Sequence, residues 1–150
     1  MSAQSEFVTV PFAAGERISV AHDGRLPLDV ILLRHGEQVS AFLDDCPDER
    51  KPLEPVLNSR GEVVCTVHGA SFDCNGCLVR PGGAHHPENC IAGLVPVPVE
   101  TADADAVTLA ITPEVRKEAE RIQLQRRRRR YGRGLRGLVR RLSAWMRGEQ

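Results

Sequence analysis

Apolar and polar positions alternate in short bursts over the first 112 residues. EFVTVPF, ERISVAH, LDVILLRHG and EQVSAFLD are alternating or β-branched, and turn signals at Ala14-Gly15, Asp23-Gly24 and His35-Gly36 separate them. EVVCTV, ASFDC and CLVRP follow, with Arg60-Gly61 and Asn75-Gly76 between them. Asn-Gly is the strongest short hairpin signal. GLVPVPVE and AVTLAI close the series. Valine alternates with Pro96 and Pro98 in the first of these, which suits an edge strand because proline brings no N–H to a ladder. No helical periodicity is present before residue 113. Regularly spaced short strands predict an all-β sandwich or barrel.

Thr112-Pro113-Glu114 changes the pattern. A capping residue, a proline at the first helical position and an acid in the first turn predict a helix start. Residues 114–130 read as charged nearly all round. From Tyr131 an apolar stripe runs through Leu135, Leu138, Val139, Leu142, Trp145 and Met146, in steps of 3 and 4 that define one helical face. Gly132, Gly134 and Gly137 weaken that helix by up to ~1 kcal/mol each relative to alanine. The chain therefore divides into a β-domain over 1–112 and a basic, partly amphipathic helical extension over 113–150.

Charge sharpens this division. The net charge is zero, yet residues 1–112 carry 7 Lys+Arg against 16 Asp+Glu, and residues 113–150 carry 13 against 4. An acidic body with a basic tail suggests two separate jobs. No apolar run approaches the ~20 residues of a membrane span. MSAQSEFVTV has neither a basic nor an apolar leader region, so a cytoplasmic location is expected. Five cysteines, with no export signal, suit metal ligation better than a disulfide framework.

The chemistry concentrates in two loops. Cys46, Asp48, Cys65 and His68 spell C-x-D-x16-C-x-x-H, each pair lying between strands beside turn-forming residues. Each loop offers one soft thiolate and one harder ligand, as two hairpin loops closing over an inorganic cluster require. Iron–sulfur clusters take thiolates, and in one subclass histidines replace two cysteines on one iron.

At these residues the sequence resembles the Rieske-type [2Fe–2S] domain, especially its small soluble ferredoxins, over about residues 5–112. The family pattern is C-x-H, 15–17 residues, then C-x-x-H. EQVSAFLDDCP resembles the strand entering the first box, and PLEP the segment after it. HGASFDCNGCLVRPGG resembles the second box and its sequel, and VPVPVE with AVTLAI the closing strands. The resemblance implies a small β-sandwich or barrel with a cluster-binding subdomain, and a [2Fe–2S] cofactor. Carried over by position, Cys46 and Cys65 would hold the inner iron and His68 the outer one, with Asp48 standing where the family has its first histidine. An anionic carboxylate favours Fe(III), so the potential is expected near or below the bottom of the ordinary range of about −150 to +300 mV. With His68 the one proton-coupled ligand left, the potential should vary with pH less steeply. Loss of the cluster, with the fold kept as a docking module, is the competing outcome. Backbone N–H groups at Ala70 and Ser71 could reach the cluster sulfurs, and Leu53 and Pro81 could cover it.

A second constellation, Cys74, Cys77, His85, His86 and Cys90, would suit structural zinc. However, Cys74 and Cys77 flank Asn75-Gly76, where a hairpin explains them without metal. His85 or His86 could also turn toward the cluster.

No nucleophilic triad, phosphate loop or mononuclear iron triad is readable, and a domain of this size leaves no room for the catalytic part of a Rieske oxygenase. The expectation is therefore a non-enzymatic one-electron carrier between a reductase and an oxygenase or other acceptor. The alternative is a clusterless or zinc-binding interaction subunit that docks through its tail. Acidic Asp44, Asp45, Asp48 and Glu49, if exposed, would favour a basic partner. Residues 126–147 read as a partner-docking helix, as a peripheral anchor on an anionic inner membrane face or as a solvated extension. Arginine runs also bind nucleic acid nonspecifically, but no specific nucleic-acid module accompanies this one.

Overall fold

A computed structural model of the chain describes residues 5–12, 17–20, 27–47, 52–53, 55–82 and 93–146; for 17–19, 35, 55–56 and 131–146 it describes the backbone alone. Asp48, Glu49, His85, His86, Cys90 and Arg147 lie outside the described residues, as do the side chains of the stripe from Tyr131 to Met146.

Among the described residues, ten strands form three small antiparallel sheets. β1 (Glu6–Pro11), β10 (Ala106–Ile111) and β9 (Val99–Ala102) make the first, in the order β1-β10-β9. β2 (Arg17–Val20), β3 (Leu28–His35) and β4 (Gln38–Leu43) make the second. β5 (Pro55–Leu57), β6 (Val63–Cys65), β7 (Ser71–Phe72) and β8 (Leu78–Arg80) make the third. The sequence reading located all of these except β5, which is 3 residues long and begins on a proline.

The unbroken apolar run in LDVILLRH has a structural cause. Successive side chains of a strand point to opposite faces, and both faces of β3 are covered. Val30 and Leu32 enter one core cluster, with Val107, Leu109 and Ile111 of β10. Ile31 and Leu33 enter a second, with Phe42, Leu53, Val63, Phe72 and the cysteines Cys46 and Cys65. Thus β3 and β4 form a shared wall between the main β-domain and the small four-stranded sheet.

The proline-rich segment stitches the first two sheets together. The Leu43 amide donates to the Val95 carbonyl (2.9 Å), the Val97 amide donates to the Ala41 carbonyl (2.8 Å), and the Ala110 amide donates to the Pro98 carbonyl (2.9 Å). In each contact made by Pro96 and Pro98 or their neighbours, the prolines are not asked to donate. The expected edge-strand character takes this form, with β9 itself starting only at Val99.

α1 (Pro113–Met146) starts where the capping signal places it. The Val115 amide donates to the Thr112 hydroxyl at 3.3 Å, as an N-cap requires. The Glu114 carboxyl is held below its ordinary range by the helix-end amide and the Thr112 hydroxyl. The first turns are not charged all round. Val115, Ala119 and Ile122, spaced 4 and 3 apart, are buried in the main core cluster. Arg116 pairs with Glu6 (2.9 Å), and the Gln123 amide group donates to the Pro27 carbonyl (3.1 Å). The core therefore continues across the 112/113 boundary into the helix.

Candidate metal centre

Cys46 sits just past β4, and Cys65 is the last residue of β6. His68 follows in a tight turn. The Gly69 amide donates to the Cys65 carbonyl (2.7 Å), and the Cys65 amide donates to the Ala70 carbonyl (2.9 Å). Gly69 has φ +79° with open space around it, so the backbone conformation alone calls for glycine.

These two loops bring their ligating atoms together. Cys46 and Cys65 are buried, at 1% and 0% exposure, while His68 is half-buried. The two sulfurs and a His68 ring nitrogen all lie within 4.8 Å of one another. The Cys46 sulfur is 3.7 Å from Nδ1 and 3.6 Å from Nε2 of His68. Of the four sequence-predicted ligands, three converge; Asp48 is the one outside the described residues. Among the described residues no other group of three Cys, His, Asp or Glu side chains converges this way.

The surroundings correct two expectations. Leu53 is fully buried in the cluster that holds both cysteines, as a cover should be, but Pro81 is exposed. The cover comes from Gly82 instead. A Cβ there would lie 2.4 Å from the His68 carbonyl oxygen and the Ala70 nitrogen, and 2.6 Å from His68 Cδ2. The absence of a side chain at 82 is what lets the segment just past β8 lie on His68. Gly82→Ala is expected to displace the His68 turn and to lower stability by about 1–3 kcal/mol, as overpacking does; urea unfolding of the variant measures this.

The second correction concerns Asp44 and Asp45, which are not an exposed acidic rim. They are 3% and 4% exposed. Asp44 Oδ1 accepts the Leu53 amide (2.7 Å), and Arg126 from α1 contacts the Asp44 carbonyl and Asp45 Oδ1 (3.3 Å to the latter). Two aspartates beside the first cysteine carry no local signal that an arginine from the tail will meet them.

Cys74 and Cys77 belong to a turn, as the hairpin explanation expects. The Asp73 carboxylate accepts the amides of Asn75 (2.9 Å) and Cys77 (2.8 Å), and the Asp73 carbonyl accepts that of Gly76 (2.9 Å). Cys74 is half-buried and Cys77 exposed.

A family model described as the Rieske [2Fe-2S] domain matches residues 10–91. Solved structures agree in fold. The terminal oxygenase of carbazole 1,9a-dioxygenase from Nocardioides aromaticivorans IC177 matches with 24% identity over 74% of this chain and 31% of that one, at a TM-score of 0.51. Dicamba monooxygenase bound to dicamba matches with 23% identity over 75% and 34%, at 0.55. An oxygenase and ferredoxin complex of carbazole 1,9a-dioxygenase matches with 13% identity over 74% and 30%, at 0.53. The chain spans about a third of the length of each of these structures. No curated protein matches the chain.

The residues present fit an iron–sulfur group. Two buried thiols form a soft donor pair away from water, and a partly exposed imidazole forms the third donor.

Proposed function

The chain belongs to the Rieske [2Fe–2S] domain family, whose domain binds a [2Fe–2S] cluster, and on that premise we propose that it is a one-electron carrier between a reductase and an oxygenase or other acceptor. The observation that carries this reading is the meeting of the Cys46 and Cys65 thiols with the His68 imidazole within 4.8 Å. Bound there, the cluster supplies reversible one-electron chemistry.

In this reading Cys46, Cys65, His68 and Asp48 would hold the cluster. The protein's own contribution is cover and direction. The thiolates are sealed by Leu53, Val63, Ala70 and Phe72, each fully buried. That apolar shell excludes water and protects against hydrolysis and oxidation. His68 is half-buried, and Val67 beside it is 46% exposed. The imidazole edge is thus the ligand surface nearest solvent among the described residues, and a redox partner would dock over it. Substrate oxidation belongs to the acceptor. Chemical reduction of the full chain under anaerobic conditions tests the role; uptake of one electron per chain, with bleaching of the visible spectrum, supports it, and no reducible chromophore refutes it.

Asp48 would tune the reduction potential. A carboxylate ligand brings a negative charge that a neutral imidazole does not, and so stabilises the oxidised state. Replacing it by histidine (Asp48→His) is expected to raise the reduction potential into the ordinary span of about −150 to +300 mV. Protein-film voltammetry of both forms measures this. An unchanged potential would remove Asp48 from the ligand set.

A further inference from the structure

The five arginines at 126–130 look alike in the sequence. The structure separates the first from the rest. Arg127, Arg128, Arg129 and Arg130 are exposed, whereas the Arg126 side chain is 24% exposed and reaches back into the β-domain. The packing of α1 explains why. Val115, Ala119 and Ile122 lie against the main core. Position 126 is one further turn along the same face.

Arg126 lands on the base of the loop that carries Cys46. That loop is closed on itself by the Leu53 amide, which donates to Asp44 Oδ1 at 2.7 Å. It is tied to β3 by the Asp44 amide, which donates to the Asp29 carbonyl at 2.8 Å. One Nη2 of Arg126 then meets both the Asp44 carbonyl and Asp45 Oδ1. Asp45 is 4% exposed and directly precedes Cys46. Arg126 is the arginine in direct contact with this buried carboxylate, with Arg121 acting on it from farther off, and removing a direct ion-pair contact from a buried charge is strongly unfavourable.

We propose that Arg126 is a positioning residue for the Cys46 loop, which makes the C-terminal helix part of the cluster site. This rests on the proposed reading of Cys46 as a ligand. Without Arg126 the Asp45 carboxylate moves toward water and takes the adjoining Cys46 with it. Cys65 stays in place, because β5 and β7 hold β6 on both sides.

The test uses the full chain, both metal-free and cluster-loaded, with Arg126→Met, Arg126→Lys, Asp45→Asn and, as control, Arg128→Met. In the metal-free protein, alkylation of Cys46 by iodoacetamide is followed by peptide mass against that of Cys65. Arg126→Met is expected to raise Cys46 alkylation by about tenfold or more, as local opening does, and to leave Cys65 unchanged. Arg126→Lys restores part of the protection, and Arg128→Met changes nothing. In the loaded protein, bleaching by an iron chelator accelerates in the same order. Equal Cys46 reactivity in Arg126→Met and the parent, with only a lowered unfolding midpoint, would overturn the proposal. Should Arg126→Met not fold, Arg126→Lys and Asp45→Asn make the same comparison. A parent chain that takes up no iron defeats the ligand reading by itself, while the alkylation comparison still decides whether Arg126 holds the loop.

Discussion

Ending the chain at residue 112 is expected to leave a protein that is barely folded at 25 °C. The charge pattern alone would allow that cut, since the basic segment starts there. The packing does not. Val115, Ala119 and Ile122 would be lost from a core cluster that includes Val107, Leu109 and Ile111. Fully burying a valine or isoleucine side chain is worth about 1.5–3 kcal/mol, and a domain's whole stability is about 5–15 kcal/mol. Removal also exposes the apolar residues those side chains covered, and strips Glu6 and Asp45 of their arginines. Ile122→Asp should reproduce much of the loss in the full chain, because it puts an unpaired charge at a site 4% exposed. Urea unfolding followed by circular dichroism measures both. A 1–112 chain as stable as the parent would mean that the helix is not part of the fold's core.

Cys65→Ser is expected to remove iron and sulfide completely while leaving the β-domain folded. The backbone at Cys65 is fixed from both sides, by its amide to the Ala70 carbonyl and its carbonyl to the Gly69 amide. Neither bond involves the side chain, and serine is nearly the same size. A buried hydroxyl costs about 1–3 kcal/mol, so the fold survives with reduced stability. The thiolate does not survive, and a cluster held by two thiolates, one imidazole and one carboxylate is expected to be lost with it. Iron and acid-labile sulfide analysis, beside circular dichroism, reads the two effects separately. A variant that still carried the full cluster would move the ligand role to another thiol, Cys74 or Cys77 being the free cysteines outside the site among the described residues.

Features set by local interactions are legible in the sequence, and those set by distant partners are not. Strand alternation, turn signals and the Thr112 cap are local, and each marks a structural feature at or near its place. The Cys46, Cys65 and His68 spacing is legible because two short loops, one leaving β4 and one joining β6 to β7, suffice to bring them together. What escaped reading depends on distant partners. Val115, Ala119 and Ile122 are scattered among Glu, Lys and Arg, and only the opposite wall of the core makes them a face. Asp44 and Asp45 look like surface acids until Arg126, 82 and 81 residues away, is placed against them. Gly82 is one of two neighbouring glycines in the sequence, and its role depends on its closeness to His68.

If these two loops hold an iron–sulfur cluster, the composition of the purified protein must show it. Iron, acid-labile sulfide and zinc are measured per chain in full-length protein purified without oxygen. The expected result is two irons, two sulfides and no zinc, as the [2Fe–2S] family implies. Zinc without sulfide, or no metal at all, would mean that the loops hold no iron–sulfur cluster and would leave Cys46, Cys65 and His68 as a site of another kind.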